Sequence, residues 1–144
     1  MLNASRHPIL ILVIAIATLS SLACQKRWSG LVLSHGAEID VKNYSATGRY
    51  TIIDFFSDDC PACVQLSPEL ERIDLERRDV VLVKVDVDRP GTRGIDWGSP
   101  VARQYDLHAL PHLRIYGKDG QLELEGDAAI ERALAWIGGK QGPS

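Results

Sequence analysis

The sequence has little cysteine, no excess of positive charge and no uninterrupted apolar run of the roughly 20 residues that a membrane span needs. Its 144 residues include three cysteines, too few for the small exported scaffolds that disulfides hold together. Lys and Arg number 16 against 19 Asp and Glu, a formal net charge of -3. We therefore predict no nucleic-acid partner. With 45% hydrophobic and 24% charged residues, the chain has the composition of an ordinary globular domain.

Residues 1–23 have the layout of an export signal. Arg6 is their only residue with a formal charge, and from Pro8 to Leu19 every residue except Thr18 is apolar. A basic start, a short apolar stretch and small residues at a cleavage site are typical of secretory signals. We therefore predict that the rest of the chain acts outside the cytoplasm, in a bacterial periplasm.

The end of this segment allows three outcomes. Ser21–Cys24 (SLAC) resembles a bacterial lipoprotein signal, in which the cysteine is lipidated and becomes the new N-terminus, although that family usually has leucine at the position of the serine. Cleavage after Ala23 and an uncleaved membrane anchor are the alternatives, and the apolar stretch is short of the roughly 20 residues that a span needs. We favour a lipid on Cys24, which attaches the protein to the membrane, and assign residues 24–36 as a tether.

Residues 37–144 alternate between strand-like and helix-like patterns, and we predict that they form one domain. Thr51–Phe56 and Val80–Val87 are apolar runs rich in β-branched residues, typical of strands covered on both faces of a sheet. Helical spacing extends over Pro61–Arg78. The remaining predictions are a strand at Ala37–Val41, a loop over Arg89–Ser99, a helix over Pro100–Tyr105, a hairpin of His112–Tyr116 and Gln121–Glu125, and a last helix from Asp127. This order predicts an α/β fold with a central mixed sheet and helices on both faces.

Cys60 and Cys63 lie where a buried strand gives way to a helix. The N-terminus of a helix favours a thiolate over a thiol, and Pro61 suits its first turn because proline has no N–H to leave unpaired. Cys63 lies about one helical turn further on, within reach of Cys60 for a small disulfide ring. Such a pair can attack a substrate disulfide and then resolve the mixed disulfide. A structural disulfide, an inert buried pair and a zinc site are alternatives, although no second CxxC completes a zinc site.

From about Asp40 to Gly139 the sequence resembles the thioredoxin superfamily. Thr51–Cys60 is similar to the active-site strand and loop of that family, and Leu110-Pro111 precedes the predicted hairpin as the family's cis-proline does. Further matches in order are Asp54, Pro68, Lys84, Gly117–Gly120 and Gly126. The resemblance implies a thioredoxin-like α/β fold and a protein-disulfide oxidoreductase that needs no cofactor and no metal.

The resemblance also implies catalytic roles. Cys60 is expected to be the exposed nucleophile and Cys63 the more buried resolving thiol. Asp54 would be desolvated, which raises its pKa, and would pass protons to and from Cys63. Lys84 is expected to hold Asp54 in place, and Pro111 in its cis form would lie against the disulfide.

Four residues are predicted to bind the substrate: Leu110, Pro111, Pro61 and Trp97. The cis-proline would leave the backbone of Leu110 free to pair with an extended substrate segment. Trp97 belongs to the Arg89–Ser99 loop, which is longer than its equivalent in cytosolic thioredoxins and is expected to influence which partners bind.

Asp59 stands where thioredoxins usually have tryptophan, and Asp58 precedes it. Two carboxylates oppose the helix dipole and disfavour the Cys60 thiolate, which favours a reductant over an oxidant. We predict that the protein reduces disulfides in exported proteins or acts on apocytochrome-type thiols, with electrons from a membrane electron-donor protein. The alternative is a non-enzymatic binding module, one version being a copper chaperone with His112 as third ligand.

Overall fold

Five strands and three α-helices form the described part of the chain, residues 28–137 of the computed structural model. The predicted export signal and Cys24 lie outside these residues. No helix within residues 28–137 is long and apolar enough to cross a membrane. The elements are β1 (Leu31–Leu33), a 3-10 turn (Val41–Tyr44), β2 (Tyr50–Phe56), α1 (Pro61–Glu76), β3 (Val80–Asp86), α2 (Pro100–Gln104), β4 (His112–Tyr116), β5 (Leu122–Glu125) and α3 (Asp127–Ile137).

The sheet is mixed, with strand order β1-β3-β2-β4-β5. β3 runs parallel to both β1 and β2, whereas β4 runs antiparallel to β2 and β5 antiparallel to β4. The two central strands, β2 and β3, are the two apolar runs of the sequence, because only strands covered on both faces bury every side chain. The predicted mixed α/β sheet is confirmed.

Helices cover both faces of the sheet. Because successive side chains of a strand point to opposite faces, Ile52 packs with α1 and α3 while Ile53 packs with α2. The α1 side includes Leu70, Ile73, Ala129, Ala133 and Trp136. The other side includes Phe55, Val85, Val101, Ala102 and Leu107. Asp54 and Lys84, which are paired in register between β2 and β3, alternate onto the α1 side.

The first strand differs from the prediction. It lies at Leu31–Leu33, where it pairs with β3, and the strand predicted at Ala37–Val41 is wrong. Asp40 instead caps the 3-10 turn, since its side chain accepts a hydrogen bond from the Lys42 N–H at 3.1 Å. β1 lies within the residues assigned as a tether, so the sheet begins earlier in the chain than its apolar pattern suggests.

Candidate active site

The two cysteines lie at the N-terminus of α1 and form a disulfide with a Cα–Cα distance of 5.3 Å. Cys60 is the N-cap, and its Sγ accepts a hydrogen bond from the Cys63 N–H at 3.1 Å. Pro61 follows in the first turn and is exposed. The sulfur of Cys60 therefore lies on the N–H groups of the helix, where negative charge is stabilised.

A tight turn joins β2 to these cysteines. Ser57 is fully buried, and its Oγ accepts a hydrogen bond from the Asp59 N–H at 3.0 Å. The carbonyl of Ser57 accepts a second bond from the Cys60 N–H at 3.2 Å. The end of the most deeply buried strand thus sets the direction in which Cys60 enters the helix.

Both cysteines are equally covered in the disulfide form. Each is 3% exposed, so the expectation of an exposed Cys60 beside a more buried Cys63 is wrong for this state. The cysteines form a cluster with Phe56, against which Ile95 and Leu110 also pack. Ile95 reaches this cluster from the loop before α2.

Asp54 is the buried acid of the site. It is 2% exposed, and within residues 28–137 its Oδ1 has no hydrogen-bond partner. Burial raises the pKa of this carboxyl from 3.8 to about 7, with the charge of Lys84 lowering it and that of Glu71 raising it further. A carboxyl with a pKa near neutrality can both take and give a proton at physiological pH.

Lys84, expected to hold Asp54 in place, bonds Glu71 instead and acts on Asp54 through its charge. The Nζ of Lys84 donates to Glu71 Oε1 at 3.1 Å, and it lies 4.5 Å from the ring centroid of Phe56 and 5.6 Å from that of Trp28. The long lysine side chain reaches past Asp54 to α1. Glu71 is the better partner because it is partly exposed, whereas burial raises the pKa of Asp54 to about 7 and so favours its neutral form below that pH.

A cavity of about 180 Å³ joins the disulfide to Lys84. Its lining residues are Phe56, Ser57, Asp58, Cys63, Val64, Ser67, Pro68 and Lys84. Cys63, Ser67 and Glu71 follow one another at intervals of four residues, which places them on one face of α1. Cys63 and Lys84, whose charge acts on Asp54, therefore line the same cavity.

The predicted substrate-binding residues do not all meet at the disulfide. The Leu110–Pro111 peptide bond is cis, and Leu110 packs on the disulfide cluster. Trp97 is 41% exposed and lines a separate cavity of about 300 Å³ with Ala102, Arg103, Asp106, Leu107 and His108.

His112, the third ligand of the copper-chaperone alternative, is paired with Glu125, Nε2 to Oε1 at 3.0 Å. Within residues 28–137, no three His, Cys, Asp or Glu side chains are arranged to hold a metal ion.

Glu71 was not identified from the sequence, and Ile95 and Trp28 were expected only as a residue of the 89–99 loop and as a contact of the tether. The four-residue spacing from Cys63 to Glu71 is a signal that identifies Glu71 in hindsight. Ile95 is an apolar residue inside a polar, glycine-containing loop, a weaker signal. Trp28, whose Nε1–H donates to Asp74 Oδ2 at 2.9 Å, has no local pattern that points to Lys84.

Comparisons with known proteins agree with this geometry. A family model described as a thioredoxin-like domain matches residues 37–139. A thioredoxin from Chlamydia trachomatis serovar D is 37% identical over 88 residues, 60% of this chain and 76% of that protein. A thioredoxin-like protein from Fusarium culmorum is 30% identical over 97 residues, 65% of this chain and 74% of that protein. The solved structure of Chlamydomonas reinhardtii thioredoxin f2 superposes with a TM-score of 0.52 at 23% identity, over 79% of this chain and 98% of that chain.

Proposed function

The chain belongs to the thioredoxin-like family, and we propose that it is an extracytoplasmic thiol–disulfide oxidoreductase that reduces disulfides of exported proteins. The observation that carries the proposal is the Cys60–Cys63 disulfide at the N-terminus of α1. The location outside the cytoplasm rests on the signal-like residues 1–23 and on Cys24, the expected site of lipidation.

The reaction begins with the reduced dithiol. The Cys60 thiolate attacks one sulfur of a substrate disulfide, which forms a mixed disulfide and releases the other substrate sulfur as a thiol. Cys63 loses its proton and attacks Cys60 Sγ, which breaks the mixed disulfide and releases the second substrate thiol. The substrate gains two electrons and two protons, and the protein is left with the Cys60–Cys63 disulfide.

Asp54 is suited to the proton transfer in the second step. Its pKa of about 7 lets it accept a proton from Cys63 as that thiol becomes a nucleophile. The charge of Lys84, which lowers the pKa of Asp54, supports this role because it stabilises the carboxylate that the transfer creates. Two electrons must then return to the disulfide, and a membrane electron-donor protein is the proposed source.

The substrate segment is proposed to bind beside the cis peptide bond at Pro111. Leu110 already packs on the disulfide cluster, so a segment that pairs with its backbone would lie next to Cys60. The carboxylates of Asp58 and Asp59 beside the helix N-terminus favour the disulfide over the thiolate, which supports the reducing direction.

Replacement of each cysteine tests this function. Full-length protein with Cys60→Ser is expected to lose dithiol-dependent reduction of insulin, because no sulfur remains to attack the substrate. Cys63→Ser should instead accumulate a mixed disulfide, which non-reducing electrophoresis and mass spectrometry would identify. A Cys60→Ser/Cys63→Ser double variant is the control for adducts that do not need the first cysteine. Undiminished insulin reduction by Cys60→Ser would exclude the proposal.

A further inference from the structure

The segment 89–99, here called the covering loop, is organised by a buried carboxylate. Asp96 is 6% exposed, and it accepts hydrogen bonds from Arg89 Nε at 2.6 Å and Nη2 at 3.0 Å. Its own N–H donates to Asp88 Oδ1 at 2.8 Å, and its carbonyl accepts from the Ser99 N–H at 3.0 Å. A two-pronged ion pair with a buried member holds one geometry, so this end of the covering loop is held in place.

The other attachment of the covering loop is a single hydrogen bond beside the active site. The Gly94 N–H donates to Asp59 Oδ2 at 2.6 Å, in an exposed position. Gly91 and Gly94 both have positive φ, 83° and 72°, a conformation that glycine adopts readily. The residue directly before Cys60 thus holds the tip of the covering loop in place.

Between these two attachments, Ile95 packs on the disulfide. It packs against the cluster of Phe56, Cys60 and Cys63, in which Cys60 is 3% exposed. Thiol–disulfide exchange requires the incoming sulfur to reach the sulfur that it attacks. A side chain at this place therefore governs which molecules react with Cys60.

We propose that Ile95 is a specificity-determining residue that covers the Cys60–Cys63 disulfide, and that Asp59 keeps it in place through the hydrogen bond to Gly94. A reacting partner must displace Ile95 and fill its place with an apolar group of its own. Reactive partners are thus polypeptides that carry an apolar side chain beside the reacting cysteine, and small polar thiols react slowly. The inference rests on the proposed function for its choice of natural substrate, but access to the disulfide is measurable without one.

Reduction of the oxidised full-length protein by dithiothreitol measures that access. A dithiothreitol thiolate attacks one protein sulfur and forms a mixed disulfide, and its second thiol then closes a ring, which releases the protein dithiol. Acid quenching, alkylation and mass spectrometry give the rate constant. For Ile95→Ala and for Asp59→Ala we expect an increase of about fivefold or more, the equivalent of losing one hydrogen bond or its packing contact.

Asp58→Ala is the matched control for Asp59→Ala. It removes the same charge one residue earlier, so its rate measures the electrostatic effect on Cys60 alone. The proposal requires that Asp59→Ala react about fivefold faster than Asp58→Ala, the weight of the hydrogen bond to Gly94. Equal rates for these two variants, or an unchanged rate for folded Ile95→Ala, would overturn it. If Ile95→Ala does not fold, as judged by circular dichroism, the comparison of the two exposed aspartates decides.

A second measurement separates this proposal from the proposed function. Two peptide disulfides that differ only in leucine or serine beside the cysteine are offered to the reduced protein. Wild type is expected to prefer the leucine peptide, and Ile95→Ala to lose part of that preference. If neither peptide is reduced, the proposed function fails while the dithiothreitol rates still decide the role of Ile95. Equal preference in wild type would contradict the apolar replacement.

Discussion

Asp54 is a carboxyl placed in the core without a hydrogen-bond partner for Oδ1 among the described residues. A buried polar group of this kind lowers stability, and Lys84, the obvious compensating charge, is bonded to Glu71. If this carboxyl served stability alone, its buried oxygen would be expected to have a hydrogen-bond partner. We propose instead that this carboxyl serves proton transfer to and from Cys63.

Asp54 should make stability depend on pH. Its pKa is about 7 in the folded protein against an ordinary 3.8. Between these values the folded state holds a proton that the unfolded state lacks, so the free energy of unfolding falls as pH rises from about 4 to about 7 and then stays low. Asp54→Asn should remove this slope and be more stable at pH 8 by up to about 4 kcal/mol. Urea unfolding of the oxidised proteins at pH 5 and pH 8 measures both effects.

The control for this measurement is Asp58→Asn, which replaces an exposed carboxylate just before α1. It is expected to keep the wild-type dependence of stability on pH. A slope that survives in Asp54→Asn would mean that another group, not Asp54, takes up the proton on folding.

At the scale of elements, α3 stabilises the strand and helix that carry the active site. Trp136 of α3 packs on Tyr50 at the start of β2, with ring centroids 5.3 Å apart, and the Arg77 guanidinium lies 5.2 Å from its ring centroid. One aromatic side chain thus ties the last helix to both ends of the β2–α1 unit, which carries the two cysteines.

We expect Trp136→Ala to lower the free energy of unfolding by about 3–5 kcal/mol, since it removes a buried aromatic side chain and leaves a cavity. Leu134→Ala, on the same helix but 47% exposed, is the matched control and should change it by about 0.5 kcal/mol or less. Chemical denaturation of the oxidised proteins gives both values. Similar losses in the two variants would show that α3 does not depend on this contact.

How far the elements could be predicted depended on their burial. β2 and β3 are buried on both faces, so their sequences are largely apolar, interrupted by Asp54 and Lys84, and their positions are evident. β1 is a three-residue edge strand with Leu31 and Val32 exposed, and its position depends on the free edge of β3 rather than on its own pattern. The prediction at Ala37–Val41 failed for that reason.

At the scale of the whole molecule, we propose that residues 1–24 decide where the thiol chemistry takes place. If Cys24 is lipidated, full-length protein expressed in a Gram-negative host should be found in the membrane fraction, and its mature form should begin at that residue. Cys24→Ser should lose the lipid, as mass spectrometry of the purified protein would show. The Cys60→Ser variant, which leaves the signal unchanged, is the control.

The fractionation also separates the alternatives. A mature soluble periplasmic form that begins at Cys24 without lipid would support ordinary cleavage, and an intact N-terminus in the membrane would support an uncleaved anchor. Recovery of uncleaved protein in the cytoplasm would contradict export and with it the proposed substrates.

The sequence by itself determined the fold class and the location of the chemistry. Apolar runs define the two central strands, and Cys60 and Cys63 at the start of a helix indicate a redox pair, because each of these signals lies within one short segment of the chain. The tertiary structure alone decided that Lys84 bonds Glu71, that Trp28 lies over that lysine, and that Ile95 covers the disulfide. These contacts join residues from separate elements, and they depend on how far a side chain reaches and which carboxylate is ionised, which no spacing along the chain records.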